Sequence, residues 1–463
     1  SALVITRRRP WHVAPATGYK ALRRRAGRLM ASQLAHMLMV LTDTLMMARI
    51  SPQALAGGGV GAASYSCVSI FCLGVIAAVG ALVAIRKGGN DIEGATRLAQ
   101  NGLWLAWGLA LFAALVLWNL EPALLLFGQK PENVASAAEF LTLLPLALPG
   151  YLTFMALRGF TSALGRSAPV MVISLVGTVL NYLLNVALIE GMFGLPKLGL
   201  MGIGLVTAVV SMGMAIALAL YIRWHPAYAA YPLRKGLSRP SLPALRELWR
   251  LGLPIGGTYM VEVGLFAFAA LCMGVLGSTE LAAHQIALQI VSTAFMVPTG
   301  LSYAVTMRIG LYFGAGNLLA ARSAGRIGIA LGGMIMFAFA ALFWLLPDAL
   351  VGLFIDRNDP AFAAIFQLAV QLLMVAAWFE LFDGMQTIAM GSIRGLKDAK
   401  TTFLIGLVCY WLVGAPSAWL FTFTLGGGAV GVWWGLALGL ACAAVALTFG
   451  FEWRMKRLLG KAG

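Results

Sequence analysis

Asp43, Glu262, Glu380 and Asp383 each lie inside a long apolar stretch, the second of them in MVEVGLFAFAALCMGVLG at 260–277. If those stretches cross a bilayer, each ionised carboxylate costs on the order of 2.5–3.5 kcal/mol at the centre by insertion scales. Several together are a large liability against ordinary protein stability. The sequence places no evident Lys or Arg beside them, which leaves protons, metal cations or a cationic substrate to neutralise them. Tyr259 and Phe266 fall three and four residues from Glu262, so aromatic surface flanks it on a helix. Phe379 and Gln386 flank Asp383, Glu380 precedes it by one turn, and Met39, Met46 and Met47 share a face with Asp43, with His36 two turns away. A carboxylate among aromatic and thioether side chains suits lipophilic cations through charge, cation–π contact and adaptable packing. Each residue also has a plainer reading. The carboxyls can be protonated and bonded to backbone carbonyls, Asp43 can be solvated near an interface, Glu380 can face headgroups or another helix, and the Met and aromatic rows can be packing. Asn181 and Asn185, one turn apart, can bridge helices, and His284 reads first as a hydrogen-bonded packing residue.

The elements that must position these groups are membrane helices. The 463 residues are 60% hydrophobic and 11% charged, against roughly 25% charged in soluble domains. Apolar runs of about twenty residues, enough to cross a ~30 Å hydrocarbon core, recur along the whole chain. Twelve spans are expected near 29–50, 55–85, 98–127, 134–163, 168–190, 200–223, 246–277, 280–310, 324–347, 361–393, 401–424 and 428–452. The fold class is therefore an all-α polytopic membrane protein. Cys67, Cys72, Cys272, Cys409 and Cys442 all fall in spans without metal-ligand spacing, so they read as packing residues and no disulfide framework is expected. The Arg-rich start lacks the short apolar core of a secretory signal peptide. When the loops are assigned to alternate sides, 29 of the 33 Lys and Arg fall on the side holding both termini, leaving Arg49, Lys130, Lys197 and Arg357 on the other. That bias expects both termini in the cytoplasm, and it makes anionic lipid, not nucleic acid, the partner of the basic clusters.

The chain reads as duplicated. ALAGGG (54–59) recurs loosely as ELAAHQ (280–285), GGNDIEGATRLAQNG (88–102) as GAGNLLAARSAGRIG (314–328), and LGLMGIG (198–204) as GGAVGVW (427–433), at offsets of 226, 226 and 229. Six spans per copy is an even number, so the copies share one orientation, as parallel repeats do. The expected organisation is a basic segment at 1–28, a six-helix lobe at 29–223, a linker at 224–245, a second six-helix lobe at 246–452 and a tail at 453–463. A substrate path between two rocking lobes is the transporter logic of such repeats.

Twelve spans in two similar halves, with TDTLMMARI (42–50), ELAAHQIALQI (280–290) and FDGMQTIAMGSIRGLKD (382–398), resemble the multidrug and toxic compound extrusion (MATE) transporters over essentially the whole chain. The glutamate of the seventh span makes the chain similar to the NorM-type bacterial branch. The resemblance implies export of small organic cations (drugs and dyes) in exchange for H⁺ or Na⁺, in a bacterial inner membrane. It implies ion coupling at Asp43, Glu262 and Asp383, with Asn181, Asn185 and His284 in support. Glu262, Asp383, Tyr259, Phe266, Phe379, Glu380, Gln386, Met39 and Met46 are the expected substrate contacts, and Glu262 and Asp383 a possible Na⁺ site. A tyrosine that some Na⁺-coupled relatives carry one turn before the tenth-span aspartate is Phe379 here, which weakens a Na⁺ assignment.

The residues suggest the same mechanism. Desolvation disfavours the charged form of a carboxylic acid and so favours proton uptake, whereas a bound organic cation favours the ionised form. Proton and cation then compete for one charge. No cofactor is expected, no enzyme motif such as HExxH appears, and a duplicated single chain needs no partner subunit. The alternative is a lipid-linked oligosaccharide flippase of the same superfamily, whose pyrophosphate cargo calls for Lys or Arg inside the membrane.

Overall fold

The computed structural model describes residues 15–191, 194, 198–237 and 239–462. Residues 1–14 and Lys197, which entered the charge count above, lie outside them. Among the described residues, twelve helices are long and apolar enough to cross a membrane. They are α1 (Pro15–Ile50), α2 (Pro52–Gly88), α3 (Ile92–Trp118), α4 (Pro131–Ala163), α5 (Ala168–Glu190), α6 (Leu200–Trp224), α7 (Leu242–Leu276), α8 (Ser278–Gly314), α9 (Leu318–Leu345), α10 (Ala363–Gly395), α11 (Lys400–Thr424) and α12 (Gly428–Ala462). Helix is the form these runs take because hydrocarbon supplies no hydrogen-bond partners and each segment must satisfy its own backbone.

Four elements depart from plain helices at the expected spans. α1 begins at Pro15, not near 29, because Leu22, Ala26 and Leu29 form a buried stripe at helical spacing while Arg23 and Arg24 stay exposed. α3 runs from Ile92 to Trp118, short of 127, and a separate short helix covers Glu121–Leu126 with Pro122 in its first turn. α4 is interrupted at Leu144–Leu146, where Pro145 removes a backbone donor, and α11 carries wide π turns at Leu407–Gly414 and Leu420–Thr424.

The duplication recurs in backbone detail. Asp91 and Asn317, 226 positions apart, cap α3 and α9 with φ −89° and ψ 76° in both. Their side chains accept from Gly94 N at 2.9 Å and Ala320 N at 3.2 Å. The residues before them, Asn90 and Gly316, are both left-handed, at φ 58° and 75°. The Gly94 N–H, with Arg86, holds the Asp91 carboxyl below the ordinary carboxylate range.

Buried apolar side chains form two clusters, one mostly from α1–α6 and one mostly from α8–α12. The first helix of each half starts in the other half's cluster. Leu22, Ala26 and Leu29 of α1 pack with Leu301 and Ala304, while Leu248, Leu251 and Ile255 of α7 pack with Val75 and Val79. Small residues let these helices approach closely. A Cβ on Gly74 would lie 2.6 Å from Gly256 Cα, and one on Gly300 would lie 2.7 Å from Met30 N, which is the same contact repeated 226 residues on. Nearer the basic end, Gly88 meets the Leu311 carbonyl and Gly314 the Ile85 carbonyl. Glu247 of α7 adds an ionic clasp there, accepting from Arg86 at 2.9 Å and Lys397 at 2.9 Å. The opposite part of α2 packs instead within its own half, Gly57 on Ser136 and Gly61 on Phe140. The connection between the halves is tied to α3, where Gln100 Nε2 donates to the carbonyls of Pro232, Leu233 and Lys235, and Asn101 Oδ1 accepts from Ser241 N at 2.7 Å.

The glycine seam makes a direct prediction. Gly74→Val and Gly300→Val are each expected to cost about 1–3 kcal/mol by overpacking, read as a lower unfolding midpoint of the purified protein. Gly108→Ala, where an added Cβ meets nothing within 4 Å, should leave the midpoint unchanged or raise it.

Candidate functional site

Two separate groups of polar side chains lie within the bundle. In the first half, Asp43 of α1 faces α5 and α6. Asn181 and Asn185 sit one turn apart on α5, so both amides present on one face, donating to Asp43 Oδ1 at 3.2 and 3.0 Å. Thr207 of α6 donates to Asp43 Oδ2 at 2.9 Å. Asp43 opens on a cavity that is also lined by His36, Met39, Met47, Tyr65 and Tyr151. His36 stacks on Tyr151 with ring centroids 5.3 Å apart. Met46, expected to share this face, is 3% exposed in the first-half core and does not line the cavity.

In the second half, Glu262 Oε1 accepts from Gln386 Nε2 at 3.1 Å and from the Tyr410 hydroxyl at 3.0 Å. Tyr410 also bonds Gln386 Oε1, which closes a ring of three side chains from α7, α10 and α11. Asp383 lies one turn before Gln386 on α10 and is 5% exposed. Glu380 is fully buried, and neither carboxyl oxygen has a partner among the described residues. Beside them runs an aromatic row, Phe266 to Phe379 at 6.0 Å, Phe379 to Trp433 at 5.4 Å and Trp433 to His284 at 5.5 Å. Trp433 Nε1 donates to His284 Nδ1 at 3.1 Å, while His284 Nε2 is buried without a partner. Tyr259 stands apart, its ring 5.8 Å from the Arg394 guanidinium at the seam with α2.

Among the described residues none of the four carboxylates forms an ion pair. The six ion pairs among the described residues involve Asp91, Glu247, Glu452, Asp348 and Asp398. Neutral amides and hydroxyls fill oxygen lone pairs without cancelling charge, so these sites are solvated by protein yet remain electrostatically open. Among the described residues no three His, Cys, Asp or Glu side chains are placed to share a metal ion. A cation at Glu262 would therefore draw on Gln386 and Tyr410 oxygens as well.

The basic residues were expected to cluster at the end that holds both termini, but Arg158 of α4 and Arg394 of α10 are only 7% and 6% exposed. Helix packing around the seam, which no local pattern reports, encloses them. Thr207, Tyr410 and Trp433 were also missed. Each is a hydrogen-bonding side chain in an apolar run, the local signal by which they could have been found.

The MatE family model matches the chain over residues 29–187 and again over 254–420. The chain is 93% identical over 452 residues to a probable multidrug resistance protein NorM of Pseudomonas putida, covering 98% of each. A protein of the same description from Pseudomonas syringae pv. tomato is 68% identical, covering 95% of each. An outward-facing structure of a multidrug resistance MATE family transporter shares the fold, with TM-score 0.85 and 20% identity over 95% of this chain and 96% of that one.

The donor set around Asp43 is testable. Thr207→Val leaves Oδ2 without a side-chain donor among the described residues, and a cost of about 1–3 kcal/mol is expected for the stranded acceptor, read as a lower unfolding midpoint. Thr207→Ser should retain most of the wild-type value.

Proposed function

This chain belongs to the MATE transporter family, in its NorM-type branch, and from that premise we propose that it is a secondary antiporter exporting lipophilic organic cations against an inward flow of H⁺ or Na⁺. One observation carries the reading: four carboxylates inside the bundle have neutral hydrogen-bond partners or none, and no cationic side chain pairs with them. The relatives' names as multidrug resistance proteins support drugs as cargo. We take the basic end as cytoplasmic and the membrane as the bacterial inner membrane. The closed glycine and Glu247 seam then lies inward, and the two six-helix lobes part outward.

Alternating access follows from the seam. Rocking the lobes separates Gly74 from Gly256 and Gly300 from Met30, and re-forms contact on the other side. In the outward state Glu262, Asp383 and Glu380 present charge beside the Phe266–Phe379–Trp433 row. That row suits an aromatic cation, with Gln386 and Tyr410 holding Glu262 oriented. Asp43 serves the first lobe in the same way, with Met39 and Met47 as deformable walls. Proton or sodium entry from outside displaces the cation, and the neutralised site returns inward. One H⁺ exchanged for one monovalent cation moves no net charge, so ΔpH alone drives it. One pH unit is about 1.4 kcal/mol, which sustains roughly a tenfold gradient.

Arg158 and Arg394 give the flippase alternative a physical basis, since buried guanidiniums suit a pyrophosphate. One experiment separates the readings. In proteoliposomes, an outside-acid ΔpH or an inward Na⁺ gradient, imposed separately, is expected to drive ethidium out under one gradient only. Glu262→Gln and Asp383→Asn should each reduce that flux at least tenfold. Ethidium indifferent to both gradients would return the flippase, and unaltered flux in Glu262→Gln would leave the exchange at Asp43 or Asp383.

A further inference from the structure

We propose that the seam between the halves holds a binding site for a small monovalent inorganic anion of halide type, between Arg158 and Arg394. The two arginines stand on the fourth helix of each half, each in an Arg-Gly pair toward the end of its helix, at 158–159 in α4 and 394–395 in α10. Closure of this end brings both to one small cavity, to which the first half also contributes Ser162 and the second half Tyr303 and Thr306. No Asp or Glu lines it. Arg158 is 7% exposed and Arg394 6%, and among the described residues neither guanidinium has a hydrogen-bond or ion-pair partner. The Tyr303 ring lies 4.7 Å from Arg158 and the Tyr259 ring 5.8 Å from Arg394, and Glu262 lies within electrostatic range of Arg394 without forming an ion pair. A ring face offsets only part of the cost of burying a guanidinium, and two like charges sharing one cavity repel. Ser162 is the second, independent mark, since its hydroxyl is buried in the same cavity wall with no partner in reach.

The lining therefore presents donors and positive charge with no carboxylate, and Arg158 also borders the cavity that holds Asp43. An anion there neutralises the pair, takes the Ser162 hydroxyl, and joins a group from the first half to one from the second. It binds only while this end is closed, because opening carries Arg158 away from Arg394. The bound anion thus favours the closed seam. This site does not depend on the antiport reading, and its test involves no transport.

The test is thermal unfolding of the full-length protein in detergent, titrated with sodium bromide against sodium gluconate at constant ionic strength. A saturable rise of roughly 2–4 °C is expected in bromide and not in gluconate, from ligand linkage at well above Kd. Arg158→Gln and Arg394→Gln should each abolish the bromide-specific rise. Ser162→Ala, which leaves the fold's packing nearly intact, should weaken apparent affinity by about fivefold. Equal responses to bromide and gluconate would overturn the proposal, as would an undiminished bromide response in both arginine variants and in Ser162→Ala. A larger rise with pyrophosphate than with bromide, lost in the same variants, would overturn the small-anion assignment in favour of a phosphate-bearing ligand.

Discussion

Hydrocarbon has no water to lend, so every polar group inside this bundle must be matched by protein or by something the protein carries. That constraint organises the structure. Asp43 has three neutral donors, Glu262 has two, and Glu380 has none among the described residues. A Lys or Arg paired to any of them would satisfy it permanently and leave no use for a mobile cation. Amides and hydroxyls orient the carboxylates and leave the charge uncancelled, which is the condition a reversible cation site requires. The buried arginines at the seam carry the opposite sign under the same constraint.

The second organising feature is the crossing of the halves. α1 begins in the core of the second half and α7 in the core of the first, so neither half closes its own core at the basic end. Gly74 against Gly256 and Gly300 against Met30 hold the crossing by close backbone approach, and Glu247 bridges Arg86 and Lys397 over it. Close packing of small residues with few directional bonds makes a surface that separates without stranding buried donors. Rigid-body motion of two similar bundles fits such a seam better than unfolding of any one helix.

Much of this architecture is a local property of the chain and was legible there. Runs of apolar residues determine helices and their number, because each crossing helix satisfies its own backbone whatever its neighbours are. The 226-residue offset, the side asymmetry of Lys and Arg, and the presence of Asp43, Glu262, Glu380 and Asp383 in apolar surroundings likewise need only sequence order. Helix breaks were less legible. The stop at Trp118 and the interruption near Pro145 depend on short capping and proline effects that hydropathy averages away.

What tertiary structure alone decided is which side chains meet. Helical periodicity says that Asn181 and Asn185 share a face, but not that the face turns toward Asp43, 138 and 142 positions away. The same holds for Tyr410, which reaches Glu262 across 148 residues, and for Tyr259, which turned to Arg394 and the seam. It also holds for Arg158 and Arg394, which sequence order placed on one side of the membrane and packing enclosed. Composition and period determine each helix and its faces by local energetics. The rotation of each helix about its axis, set by close packing against partners distant in sequence, determines the sites.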